Sequence, residues 1–291
     1  MKTILLIFIL FTHASGQQYT IDFDGEKNIG RKGKVKYEIE LIDSTSVYAN
    51  DSLVNKVHHQ KLIKTSGLIE NLKSTNNGKE IEYKYVVDYF NVDNATDKIN
   101  LFPKGTEINF GINDKNEMIY KVKNKSLSEK EIEILSKVFE IRDPKMPSEN
   151  ELFGPQKPVS VGESWKIDSA KYVSTFEKDG SVDISNLKIT GVFKLDALER
   201  FNDKQCLKVV GAIKIEGIYP AEPLQFSEIS SNTTYNYIVF LPVDKPNRRL
   251  SDSFTINISQ IAKGKVTENG KEYLVEGVNT IIQRTKRIFS Y

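Results

Sequence analysis

The sequence predicts a mainly β protein: a curved antiparallel sheet or open half-barrel with one amphipathic helix on its concave face. Three observations carry this. Apolar and polar residues alternate with period two along most of the chain. Asn77-Gly78, Asp179-Gly180 and Asn269-Gly270 are pairs that favour tight hairpins, because type I′ turns need positive φ at both central positions. No strand–helix–strand rhythm appears, which argues against a parallel sheet.

The first segment reads as a leader. Lys2 is followed by the apolar run Ile4 to Phe11 and by the small residues Ala14-Ser15-Gly16, the pattern of a secretory signal peptide over residues 1–16. Residues 17–291 are then expected to form a single β-rich domain. An alternative division has two halves, 25–142 and 155–291, joined by a segment carrying Pro144, Pro147 and Pro155.

The leader also predicts export, to a periplasm or the extracellular medium. No cysteine follows it to accept a lipid, so an exported soluble species without a lipid anchor is expected. Cys206 is the one cysteine, so no intrachain disulfide is available. Leu207, Val209 and Val210 beside it suggest a buried strand thiol.

Hydrophobic residues make up 39% of the chain, with 13 Tyr and 15 Phe, enough for a core. The net charge of +2 gives no case for nucleic acid as a partner. No later apolar run is long enough to span a membrane.

The strands follow in order. Val35, Tyr37, Ile39 and Leu41 alternate with lysines and glutamates. Ile81, Tyr83, Tyr85, Val87 and Tyr89 repeat the pattern, as do Ile108 to Ile112 and Met118 to Val122. Later runs are Ile189 to Ala197, Leu207 to Gly217, Phe254 to Ile258 and Leu274 to Phe289. The helix is predicted from Ser128 to Arg142. Ser128 and Glu131 form a capping box, and Leu127 and Ile132 a hydrophobic staple. Ile132, Leu135, Val138 and Phe139 form its apolar stripe, and Pro144 disfavours helix at Asp143.

Candidate chemistry is sparse. His58 and His59 are adjacent on a strand, point to opposite faces and cannot share one metal ion. No Gly-X-Ser-X-Gly elbow accompanies them. Asp22 and Asp24 lack the closing glutamate of a calcium loop and read as a turn in a flexible segment. Glu38 and Glu40 alternate with lysines, as on a solvated face. No cofactor or metal site is predicted. Arg248 and Arg249 are candidates for contact with an acidic partner, and Arg284, Lys286 and Arg287 read as charges guarding a strand edge.

The segment Pro155 to Trp165, preceded by Leu152-Phe153, contains KPVSVGESW. Pro158 fixes its approach, Gly162 permits a turn and Trp165 anchors the next strand. This motif resembles that of uncharacterised exported bacterial β-rich envelope domains, and through them the half-barrels of lipoprotein carriers of the LolA and LppX type. The resemblance covers about a dozen residues plus the strand layout after them. It implies a half-barrel and transfers no catalytic residue.

Together these features predict a non-catalytic envelope protein that binds a lipid or other apolar or amphipathic small molecule. Tyr83, Tyr85, Tyr89, Leu135 and Phe139 are the expected lining. The alternatives are a structural or interaction module that meets another envelope protein, and a hydrolase with an unrecognised spatial site.

Overall fold

The computed structural model describes residues 17–24, 30–75, 79–94, 97–179, 182–217, 219–220, 228–245, 248–268 and 270–291. The leader, Asn77-Gly78, Gly180 and Asn269 lie outside them. In chain order the elements are β1 (Gln18–Tyr19), β2 (Lys32–Ala49), β3 (Ser52–Ser74), β4 (Glu80–Asn94), β5 (Lys98–Asn100), β6 (Glu107–Ile112) and β7 (Met118–Val122). Next come α1 (Glu129–Val138), α2 (Glu149–Phe153), β8 (Val159–Ser160), β9 (Ser164–Lys166), α3 (Ser169–Asp179) and β10 (Val182–Asp183). The chain ends with β11 (Lys188–Phe201), β12 (Lys204–Glu216), β13 (Tyr219–Pro220), β14 (Glu228–Pro242), β15 (Ser251–Glu268) and β16 (Lys271–Ser290).

The main sheet has 12 strands in the order β7-β6-β4-β3-β2-β16-β15-β14-β12-β11-β9, with β5 paired to β4. Every pairing within it is antiparallel. β16 inserts beside β2, so one continuous sheet runs through both halves of the chain. Two further two-stranded pairs are β1 with β8 and β10 with β13.

The register assigns the faces. Trp165 lies opposite Phe193, which lies opposite Gly211, then Tyr237, Phe254, Thr285, Ile39, Ile63 and Val92. Directly opposed residues share a face, so all of these project from the same, inner side.

That side is only partly covered by helices. α1 packs Ile134, Leu135 and Val138 into one apolar cluster with Val35, Ile39, Ile63 and Tyr85. Phe153 of α2, with Tyr172 and Phe176 of α3, joins a second cluster with Phe193, Val209 and Ile213.

The sheet is strongly curved. Phe110 on β6 and Phe193 on β11 are eight strand spacings apart in the strand order, about 38 Å if the sheet were flat. Both nevertheless line one cavity on the inner face. The sheet is not closed into a barrel. Its edges are β7 and the three-residue β9.

Several local expectations change. The capping box is present: Ser128 N–H donates to Glu131 Oε2 at 2.9 Å, and Glu131 N–H to Ser128 Oγ at 3.3 Å. The helix stops at Val138 rather than Arg142. Phe139 turns to extended backbone, which inserts its ring against Phe110 at 4.5 Å and Tyr85 at 4.8 Å. Ile132 is 43% exposed, and Ile134 takes its place in the core.

Among the described residues there are two more helices than predicted. α2 has its own capping box, Ser148 with Glu151. α3 carries Tyr172, Val173 and Phe176 toward the second cluster, so Asp179 ends a helix instead of opening a hairpin. β14, and β3 beyond the strand assigned to His58 and His59, lie outside the predicted runs.

The segment around Asp22 is docked rather than free. Ile21 and Phe23 are buried, and Phe23 N–H donates to Asn150 Oδ1 at 2.6 Å. Arg284 and Arg287 lie on β16, a central strand, and guard no edge. Cys206 is buried. Trp165 donates its indole N–H to Phe153 O at 2.7 Å and stacks on Phe193. Glu38 and Glu40 pair at the surface with Lys64 and Arg284.

Gly211 is fixed by packing: a Cβ there would overlap the Phe193 ring. Gly211→Val is therefore expected to cost about 1–3 kcal/mol by overpacking. The check is a lower urea midpoint with an unchanged m-value.

Candidate functional site

The two clusters do not meet. Between them the inner face encloses a cavity of ≈ 590 Å³, within the usual range for small-molecule sites. Its sheet side draws most on β2, β16, β15 and β14, with residues of β3, β4, β6 and β11 at its flanks, and the C-terminal end of α1 and residues of α2 and α3 close it opposite. A second space of ≈ 330 Å³ adjoins it, sharing Arg31, Tyr83, Arg142 and Arg249, and reaches Lys79 and Pro147.

The wall has two characters. Tyr37, Phe139, Phe153, Tyr237 and Phe254 provide an aromatic body. Tyr237 and Phe254 are cross-strand partners with ring centroids 6.0 Å apart. Burial pushes the Tyr37 hydroxyl up to about 12, so the phenol is neutral at physiological pH.

The other character is ionic. Asp252 opens β15 directly opposite Arg287 on β16. Arg287 Nε and Nη2 donate to its two carboxylate oxygens at 2.7 and 2.8 Å, a bidentate pair. Arg249 Nη1 donates to Asp252 Oδ2 at 2.7 Å. Arg249 Nη2 donates to Glu149 of α2 at 2.5 Å and to Phe23 O at 2.7 Å. The cluster thus ties two sheet strands, a helix and the N-terminal segment together. Burial opposes ionisation of Asp252, but Arg287 and Arg249 outweigh it and hold the carboxyl below its ordinary 3.8. Burial likewise opposes charge on both arginines, and their carboxylate partners outweigh it.

The predicted site residues are dispersed. Tyr83 lines the cavity and donates its hydroxyl proton to Glu80. Tyr85 lies in the core, its hydroxyl 2.8 Å from Thr65 Oγ1. Tyr89 faces outward and is 40% exposed: a bulge between β3 and β4 shifts the parity, and Phe90 takes the inside. Leu135 is fully buried under α1, while Phe139 belongs to both core and cavity wall.

Arg249 is turned inward, with 17% of its side chain exposed, unlike the solvent-facing cluster the sequence suggested. Arg248 lies with its guanidinium 5.9 Å from the Tyr291 ring centroid. His58 and His59 sit on the exposed part of β3, away from the cavity, with His58 Nδ1 2.7 Å from Ser44 Oγ. Among the described residues, no group of three or more His, Cys, Asp or Glu side chains is placed to hold a metal ion.

Sequence reasoning missed Asp252, Arg287, Tyr237 and Phe254. A signal was present. Asp252 has the same strand parity as Phe254, and Arg287 the same as Phe289, so each puts a charge where an apolar residue is expected.

What the geometry defines is an open antiparallel sheet with an amphipathic cavity on its inner face. No family model and no curated protein matches the chain. Among solved structures, lipovitellin, from a study of its lipid–protein interactions, aligns at TM-score 0.34 and 10% identity over 91% of this chain. The chain spans 26% of the lipovitellin chain, about a quarter of its length. The COG4313 outer membrane channel of Pseudomonas putida F1 aligns at TM-score 0.18 and 9% identity, covering 90% of this chain and 98% of that one. OprG, an outer membrane protein of Pseudomonas aeruginosa, aligns at TM-score 0.10 and 7% identity, covering 92% and 99%. None of these scores marks a shared fold. Among the described residues, no helix is long and apolar enough to cross a membrane.

The ion cluster makes a stability prediction. Asp252→Asn takes the carboxylate from Arg287 and one of two carboxylates from Arg249, both half-buried, and is expected to cost about 1.5–3 kcal/mol at neutral pH. The folded carboxyl titrates below its unfolded value, so its contribution is complete above that value and drains as pH falls below about 4. Urea unfolding across the acid range should show the wild type and the variant converging there.

Proposed function

We propose that this protein is a non-catalytic binding protein that holds an apolar or amphipathic small molecule in the inner-face cavity. The observation that carries the reading is the cavity itself: ≈ 590 Å³ left open between two packed clusters, walled by aromatic rings along one part and charged groups along another. Such a wall suits a ligand with one apolar and one polar end. The leader-like pattern of Lys2, Ile4 to Phe11 and Ala14-Ser15-Gly16 supports an exported, envelope-associated role for the same protein.

Native mass spectrometry of the protein isolated from its export pathway tests the reading directly. A retained small molecule is expected, released by organic solvent. A second measurement uses uptake of a neutral fluorescent probe such as N-phenyl-1-naphthylamine. Gln283 lines the cavity from β16. Gln283→Phe should weaken uptake about tenfold, roughly 1.4 kcal/mol. A ligand-free mass together with no probe uptake would sink the proposal.

A further inference from the structure

Five cationic side chains and four carboxylates line the cavity, and their partners divide unevenly. Glu149 and Asp252 are held in the arginine cluster. Glu80 accepts from Tyr83 and from Asn71. Glu140 is the one lining carboxylate without a hydrogen bond or ion pair among the described residues. On the cationic side, Lys137 and Arg142 are exposed at the end of α1 and likewise make neither. Arg287 commits Nε and Nη2 to Asp252, while its Nη1 has no partner among the described residues. The side chain of Arg287 is 31% exposed on a central strand that lines the cavity. Among the described lining residues without an ion pair, two cations and the Nη1 of Arg287 stand against the single carboxylate of Glu140, so the uncommitted groups are net positive.

We infer that the cavity takes an amphiphile with an anionic head, a carboxylate or a phosphate, seated among Arg287, Lys137 and Arg142, with its apolar part against Phe139, Tyr237 and Phe254. The inference rests on the binding role proposed above and adds the charge of the ligand. Arg287 is held rigidly by its bidentate pair, so its free Nη1 is pre-oriented, and a guanidinium matches carboxylate and phosphate oxygens equally well. Lys137 and Arg142 add charge without being buried, so their contribution is sensitive to salt.

The test uses the full purified chain loaded with N-phenyl-1-naphthylamine. The probe is displaced by dodecanoate, dodecyl phosphate, dodecanol and dodecyltrimethylammonium, amphiphiles that differ only in the head. At least one anion should displace at a concentration about tenfold below dodecanol, with the cation weakest. Whichever anion is preferred fixes the source as carboxylate or phosphate.

Lys137→Gln with Arg142→Gln removes no ion pair among the described residues and should leave folding intact. It should cut the anionic advantage about threefold, roughly 0.7 kcal/mol, without changing dodecanol. Equal displacement by dodecanol and both anions overturns the anionic head while leaving the cavity reading in place. A full anionic preference in the double variant overturns the assigned seat. Absence of probe uptake and of displacement by every amphiphile overturns both readings together.

Discussion

Asp252, clasped between Arg287 and Arg249, is the contact on which the arrangement of the other parts depends. Through it β15 is fixed to β16 at the centre of the sheet. Through Arg249 the same carboxylate reaches α2 at Glu149 and the N-terminal segment at Phe23. Asn150 adds a second tie between α2 and the N-terminal segment, and the β15–β16 ladder runs on from Asp252, so the carboxylate sits where these joints meet. The second apolar cluster therefore has its position set at one end by charge. The first cluster is positioned by α1 and the Phe139 ring, which packs beside Tyr37 on β2. The sheet carries both, and the space between them is what neither cluster fills.

The one-sidedness of the sheet explains why such a space survives. A broad antiparallel sheet with an apolar inner face is normally covered by a second sheet or by helices. Here α1, α2 and α3 contain 10, 5 and 11 residues, roughly 15, 7 and 16 Å of helix. They roof the flanks, and curvature brings the flanks toward one another, but they leave a cavity over the central strands. The part of β3 from Ser52 to Gln60 goes further: it is exposed and lies beyond the β4 pairing, which begins at Lys61 opposite Asn94. Lys56, His58 and His59 keep that edge polar despite Leu53 and Val54, a common defence against edge-to-edge association.

The fold class was legible because alternation and hairpin pairs are local signals. β2, β4, β6, β7, β11 and β12 carry a period of two over most of their length, and β15 carries it from Phe254 to Ile258. β14 did not stand out, because after Ile229 its inner face carries Ser231 and Thr233 and becomes aromatic only at Tyr235. β3 was hidden by its exposed first half, where both faces are wet and no face alternates. α2 was masked by the surrounding prolines although Ser148 and Glu151 spell a capping box, and α3 by the Asp-Gly pair at its end. The site was less legible. Tyr83 and Phe139 reach the cavity, but the bulge that turns Tyr89 outward depends on pairing with β3, and the meeting of Asp252 with Arg287 on one parity depends on the register between β15 and β16. Neither pairing is written in either strand alone.

The ionic wall is costly as a stabilising device. Apolar residues of similar volume in place of a buried ion cluster are often neutral or stabilising, by about 1–4 kcal/mol. Leucine-like side chains at 252 and 287 would also extend the apolar stripe from Leu250 and Phe289 and let the two clusters merge. The charged groups work against that closure. Their hydrogen bonds fix each side chain in one geometry, and their solvation favours an open, accessible space on the unpaired side of Arg287. Stability argues for filling the middle of the inner face with hydrocarbon, yet this chain fills it with two arginines and a carboxylate. Such a choice is consistent with the binding role proposed for the cavity, in which the charged groups would meet the polar end of a ligand.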